Sequence, residues 1–160
     1  MRPHMPRMNQ KKSEFIEKTL EIRRVSRVTA GGKRFSFRAT VVVGDGKGRV
    51  GLGLGKGGDV QLAVQKAKRQ GEKNLIRVPL KDNRTIFYDV DGKSGASRIR
   101  LKPARANHGL IAGGPARIVL ELAGIKDISA KILSKTKNKL NNARAVLVAL
   151  QKIHVKETKK

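Results

Sequence analysis

The sequence has no cysteine and no tryptophan, and only one tyrosine and four phenylalanines among its 160 residues. Without cysteine there can be no disulfide and no thiolate metal site. So few aromatics leave little material for a membrane-surface helix, which needs an apolar face rich in Trp or Phe. No apolar run approaches the length of a membrane span. The basic opening segment, Met1 to Lys12, leads into no apolar stretch of the kind a signal peptide carries. Acidic residues are the other shortage: 12 Asp and Glu stand against 37 Lys and Arg, a formal net charge of +25. The expectation is a soluble intracellular protein whose partner is a polyanion, with no membrane.

Small domains usually stay within several charges of neutrality, and self-repulsion on this scale works against a compact state. A phosphate backbone relieves it, and each phosphate neutralised releases a counterion. Residues 1–80 hold 19 basic and 6 acidic groups, and residues 81–160 hold 18 and 6. The charge is therefore no detachable tail, and both halves should meet the same RNA.

Residues 1–13 lack apolar periodicity and read as a flexible basic arm. Ile22, Val25 and Val28 mark a first strand whose imperfect alternation hints at a bulge. A glycine turn, Thr29 to Lys33, follows. Phe35, Phe37, Ala39, Val41 and Val43 keep the period of a half-buried strand. Gly44 to Gly48 turns the chain again. Val50, Leu52 and Leu54 make one face of a third strand and Gly51, Gly53 and Gly55 the other, a face on which something should approach the backbone closely. A helix fits 59–75, with Asp59 at its start and Val60, Ala63, Val64, Ala67 and Gly71 on one stripe. Ile76, Val78 and Leu80 can add a fourth strand. Residues 81–85 form a polar boundary. Beyond it, Ile86 to Val90 reads as a strand, Asp91 to Gly95 as a loop, and Ile99 and Leu101 as a second strand. A loop from Lys102 to Gly114 follows. Pro115 suits a first helical turn and Gly124 a helix end. Ile128, Ala130 and Ile132 form a strand, and a last helix runs from about Leu140 to Ile153. The fold class is α+β with two small domains, 14–80 (βββα with a possible fourth strand) and 86–155 (ββαβα), followed by a basic tail, 156–160.

Two segments carry a resemblance to a known family. Val41 to Lys56, VVVGDGKGRVGLGLGK, looks like the signature of bacterial small-subunit ribosomal protein S5, universal family uS5. Leu110 to Pro115 (LIAGGP) and Leu120 to Asp127 (LELAGIKD) resemble the signature of its second domain. The match runs from about Glu14 to Ile153. The resemblance implies a double-stranded-RNA-binding-like first domain and a ribosomal S5 domain 2-type second domain. It implies a structural constituent of the small subunit, cytoplasmic, that binds 16S rRNA, supports assembly and influences decoding accuracy. It also implies ribosomal proteins S4 and S8 as neighbours, a position near the messenger RNA entry side, and a first hairpin loop (Val28 to Phe35) that reaches RNA. Self-association is not expected. The sequence departs from the family at Tyr88-Asp89, at Asn107-His108-Gly109 and across Thr136 to Asn141.

Candidate RNA contacts follow from charge and backbone access. Gly31, Gly32, Lys33 and Arg34 form a hairpin tip that can approach RNA closely. Arg24 and Arg27 stand on the strand before it, ranked below the tip, and consecutive Arg23 and Arg24 must point to opposite faces. Lys47, Arg49, Gly53, Gly55 and Lys56 belong to the glycine-rich segment. Arg98, Arg100 and Lys102 alternate onto one strand face, with Arg105 beyond. Lys66, Arg69 and Lys73 share a helix face that is either solvated or RNA-facing. Phe35 and Phe37 read as core. The alternative is a nucleotide-binding enzyme: Gly53 to Gly58 fits G-x-G-x-x-G between a strand and a helix. Against it, no ribose-binding acid ends the next strand, no Ser or Thr follows Lys56, and no carboxylates cluster. His4, His108 and His154 lack ligand company, so no catalytic residue, metal or cofactor is expected.

Overall fold

In the computed structural model, which describes residues 14–153, the chain folds into two four-stranded sheets and, among the described residues, three helices. The elements of the first half are β1 (Ile16–Thr29), β2 (Gly32–Gly44), β3 (Arg49–Gly57), α1 (Val60–Lys73) and β4 (Leu75–Arg77). Their sheet runs β1-β2-β3-β4, antiparallel throughout. The second half has β5 (Val90–Ser94), β6 (Ser97–Pro103), β7 (Leu110–Ile111), α2 (Gly114–Leu122), β8 (Ile128–Ile132) and α3 (Lys139–Gln151). Its sheet runs β5-β6-β8-β7, with β7 parallel to β8 and the other pairs antiparallel. The class is the expected α+β. The second half gains a strand, β7, whose two residues are too few to show a period in sequence.

The glycine face of β3 packs on α1. A Cβ added at Gly51 would overlap the carbonyl oxygen of Gly71, one at Gly53 that of Ala67, and one at Gly55 that of Ala63. Two strand residues advance about 6.8 Å and four helix residues about 6.0 Å. Gly51, Gly53 and Gly55 therefore keep step with Gly71, Ala67 and Ala63 as the helix runs back along the strand. Asp59 caps the helix by accepting from the N–H of Gln61.

The other face of the first sheet meets the second half. Leu20, Val42, Val50 and Val78 join Ile99, Leu101, Val119, Leu120, Ile128, Val146 and Leu150 in one buried cluster, while Ala39, Val41 and Val43 join Ala63 and Ala67 beneath α1. A register shift between Thr19 and Glu21 brings Leu20 into the larger cluster. That is the bulge, and it lies earlier than the Ile22–Val28 spacing implied. The joint also has a backbone component. The N–H groups of Gly46 and Gly48 donate to the carbonyls of Leu122 (3.0 Å) and Ala123 (2.9 Å), so the β2–β3 loop satisfies the last carbonyls of α2. Gly124, at φ +83°, ends that helix against the backbone of Gly46.

Two expected elements differ: β4 is Leu75–Arg77 and does not reach Val78 and Leu80, and the next strand is displaced. Residues 86–89 are not a strand, although Ile86 is fully buried, and the first strand of the second sheet is Val90–Ser94. The segment Asp91 to Gly95 has loop composition because Gly92 lies directly beneath the backbone of α3 at Ala145. Here glycine marks close approach rather than a turn. Gly95, at φ +55°, carries the turn.

The glycine contact yields a direct test. Gly53→Ala drives a methyl group into helix backbone and is expected to cost at least about 1–3 kcal/mol in urea unfolding. Gly58→Ala, where an added Cβ meets nothing within 4 Å, is expected to stay within about 0.5 kcal/mol of the parent.

Candidate nucleic-acid interface

The β1–β2 hairpin outruns its sheet. Pairing with β3 stops at Phe37↔Gly57, whereas β1 and β2 remain paired to Thr29↔Gly32. The strands beyond Phe37 form a two-stranded ribbon ending in Ala30 and Gly31. Residues opposite one another share a face. Arg23 stands opposite Arg38, and Arg27 opposite Arg34, which puts four arginines on one face of the hairpin, two on the ribbon and two at its base. Lys56 lies opposite Arg38 on β3, so a row Arg23–Arg38–Lys56 crosses three strands. Opposed like charges destabilise a strand pair. Glu21, 2.8 Å from the Arg23 guanidinium, offsets one of them. Among the described residues Arg27, Arg34, Arg38 and Lys56 make no salt bridge.

The opposite ribbon face is mixed, with Val28 opposite Lys33 and Ser26 opposite Phe35. Arg24 lies over the Phe35 ring, 4.8 Å from its centroid. Phe37 is half-buried against the small core under α1, as expected, but Phe35 is 54% exposed and belongs to no core. Strand alternation gave its side correctly; the sheet and helix that would cover that side end before reaching it. Arg24 thus stands apart from the four-arginine face and stacks on Phe35. At the tip, Lys33 and Arg34 are exposed, and added Cβ atoms at Gly31 or Gly32 meet nothing within 4 Å. Gly32 is at φ +133°, a conformation that excludes other residues.

The glycine-rich segment divides. Gly53 and Gly55 are buried beneath α1 and offer no surface to RNA, so they leave the set of candidate contacts. The same packing removes the nucleotide fingerprint: these glycines belong to a strand against a helix, not to an open phosphate loop. Lys47 and Lys56 are exposed. Arg49 is tied down, bonded through Nε to Asp45 and 5.3 Å from the centroid of the Phe15 ring. Burial pushes the Asp45 carboxyl up, but Arg49 and the N–H groups of Lys47 and Arg49 outweigh it and hold the group below its ordinary value.

On the second sheet Ser97, Ile99 and Leu101 are buried and Arg98, Arg100 and Lys102 are exposed on one face. The basic face is partly neutralised. Arg100 forks onto Asp91 with two bonds of 2.8 Å, and these hydrogen bonds lower the Asp91 pKa and raise that of Arg100. Lys102 is 3.7 Å from Asp89. Arg98, opposite Lys93, makes no salt bridge among the described residues. Arg105 is exposed in the loop after β6, off the strand face. Among the described residues no group of three or more His, Cys, Asp or Glu can hold a metal, and no helix is long and apolar enough to cross a membrane. His4 and His154, the arm and the tail lie outside the described residues.

Comparison with known proteins is decisive for the family. The profile of ribosomal protein S5, N-terminal domain, matches residues 15–79, and that of ribosomal protein S5, C-terminal domain, matches 92–159. The chain belongs to the ribosomal protein S5 family. It is 52% identical over 144 residues to small ribosomal subunit protein uS5 of Gloeobacter violaceus, covering 90% of this chain and 64% of that one. It is 46% identical over 152 residues to small ribosomal subunit protein uS5c of Cyanophora paradoxa, covering 95% and 89%. With uS5 of Thermosynechococcus vestitus it shares 48% over 145 residues, covering 91% and 83%. The chain thus spans just under two thirds of the Gloeobacter relative and most of the other two. The S5 family is one of ribosomal proteins rather than enzymes, and the enzyme reading falls with that assignment.

Local bonds hold the segments around Tyr88, Asn107 and Asn138. The Tyr88 hydroxyl donates to the Lys152 carbonyl (3.2 Å). Asn138 caps α3, accepting from the N–H groups of Leu140 and Asn141. Asn107, at φ +67°, accepts from Arg84 at 2.8 Å. Arg84 also bonds Asp127 (2.9 Å), whose other oxygen accepts from the Gly109 N–H (2.9 Å). One buried carboxylate thus pins the segment before β7 to the polar boundary between the halves. The Gly109 N–H, and then Arg84, hold the Asp127 carboxyl below its ordinary value against the opposing effect of burial. A depressed carboxylate stabilises the fold above the unfolded pKa, near about 3.9, and loses that contribution as pH falls through the folded value. Melting curves should therefore show wild type above Asp127→Asn by a constant margin down to about pH 5, with the margin shrinking below about pH 4.

Proposed function

We propose that the chain is a structural constituent of the small ribosomal subunit and that it holds 16S rRNA chiefly through the arginine face and glycine tip of the β1–β2 ribbon. The observation that carries this reading is the pair of cross-strand arginine couples, Arg27 with Arg34 on the ribbon that projects beyond the sheet and Arg23 with Arg38 at its base. Such a face costs stability in isolation and gains it against phosphates. Relatives named as small ribosomal subunit proteins support the assignment.

The mechanism is electrostatic attachment with shape selection. Arginines fork onto phosphate oxygens, and the tip, bare at Gly31 and Gly32, lets RNA come against the backbone. Base sequence contributes little, since folded RNA is recognised mainly through shape, ribose and phosphate contacts. Lys47, Arg98 and Arg105 add secondary contacts, whereas Arg100 and Lys102 are first engaged by Asp91 and Asp89. As in the family it resembles, the chain works in the cytoplasm near the messenger RNA entry side, with ribosomal proteins S4 and S8 as neighbours. It influences decoding accuracy by holding local rRNA geometry, and it needs no cofactor and no second copy of itself.

Filter binding to 16S rRNA over a salt series tests the proposal. Log affinity should fall linearly with log salt, and a flat response would sink the electrostatic account. Arg27→Ala with Arg34→Ala should weaken binding more than about tenfold and make the slope shallower by about 0.7–0.9 for each phosphate no longer neutralised. Arg100→Ala should leave the slope nearly unchanged. Gly31→Ala, with room for its methyl group, should fold normally yet bind less tightly.

A further inference from the structure

We infer that a second rRNA-backbone track, resting on the same reading of the ligand, runs along the unpaired edge of β3 and the flank of α1. β4 pairs with β3 only from Arg49 to Gly51. From Leu52 to Gly57 the strand is hydrogen-bonded to β2 on one side and has no strand on the other. That edge and α1 bound a groove of about 310 Å³, whose cations are Lys56, Lys66, Arg69 and Lys73. At Leu54 and Gln70 it continues into a crevice of about 270 Å³ that Arg144 of α3 closes. All five cations are exposed, none makes a salt bridge among the described residues, and no carboxylate lines either cavity. Of the neighbouring acids, Asp59 caps α1 and Glu17 on β1 holds Lys68, while Glu72 of α1 lines neither cavity.

The groove fits a phosphate backbone. Lys66, Arg69 and Lys73 fall on one helix flank at spacings of three and seven residues, spanning about 10 Å along the axis. Leu54, 39% exposed, offers an apolar contact for a ribose or base. Lys56 links this track to the ribbon, because it also stands opposite Arg38 in the row that ends at Arg23. A backbone leaving the arginine face at Arg38 meets Lys56 next and the α1 cations after it. An open strand edge can also accept a strand from another protein. Five cations and no acid favour a polyanion over that occupant.

The test compares two charge-matched triple variants of the full chain. One is Lys66→Ala, Arg69→Ala, Lys73→Ala; the control is Lys81→Ala, Lys126→Ala, Lys135→Ala, away from the groove. Both should melt like wild type. The groove variant should bind 16S rRNA at least about tenfold more weakly than the control, with a salt slope shallower by about 2. Crosslinks from rRNA in assembled small subunits should fall on the peptide containing residues 61–73. Equal affinity and slope for the two triples overturn the inference. So does a groove variant that keeps its rRNA affinity but is lost from assembled subunits, since that assigns the groove to a protein neighbour. If Arg27→Ala with Arg34→Ala weakens binding while the groove variant matches its control, only the second track fails. If the ribbon variant is also without effect, the reading of the ribbon itself fails.

Discussion

No side chain separates β3 from α1. Backbone rests against backbone at Gly51, Gly53 and Gly55, and this closeness sets the geometry of the first half. A helix so near must present its own smallest residues, hence Ala63, Ala67 and Gly71. Its basic residues are then left to the flanks. The same closeness keeps the core under α1 small, five buried residues among those described, and the first half buries Leu20, Val42, Val50 and Val78 in the larger cluster that it shares with the second half. Most buried residues of the larger cluster belong to the second half, and the first half adds a strip of its sheet to it. The continuity of the larger cluster, and not the short polar stretch 81–85, decides how independently the two halves can behave.

Strict periods were legible in sequence. β3 alternates as its residues do, Asp59 starts its helix, Pro115 sits in the first turn of α2, and Gly124 closes that helix. By contrast β2, expected to be half-buried, is buried on both faces from Ala39 to Gly44, because α1 covers one side and the second half the other. The failures concern what lies across from a residue, which no single-chain pattern encodes. The glycine face of β3 correctly signalled close approach, yet the body approaching is α1 and not RNA. Gly92 has the composition of a loop because α3 lies on it. Phe35 has the alternation of a core residue but extends past the elements that would cover it.

The interface was half legible for a related reason. Charge named Arg27, Lys33 and Arg34 without structure. The part played by Arg23 and Arg38 needed the strand register, which follows once the turn is placed at Ala30 and Gly31. Alternation of Arg34, Ser36 and Arg38 along β2 was the available signal. Charge alone also overstated Arg49, Arg100 and Lys102, because a basic residue contributes to a surface field only in so far as no carboxylate has already claimed it. Net charge counts all of them equally; the salt bridges to Asp45, Asp91 and Asp89 do not.

The loop that closes the end of α2 bears on the thermodynamics of attachment. Gly46 and Gly48 fasten the two halves through main-chain bonds, and Gly124 leaves no room between them for a side chain. Side-chain rotamers can change without loosening such a joint. The first sheet and α2 are therefore joined through main chain at this loop. An RNA that touches both halves has to immobilise arginine and lysine side chains, but it does not have to orient one half against the other. The entropy so preserved goes directly into affinity. Under the proposed attachment to rRNA, RNA that fits the ribbon but holds its next phosphates at the wrong angle would gain only part of the binding energy, so the joint would contribute to discrimination between RNA shapes.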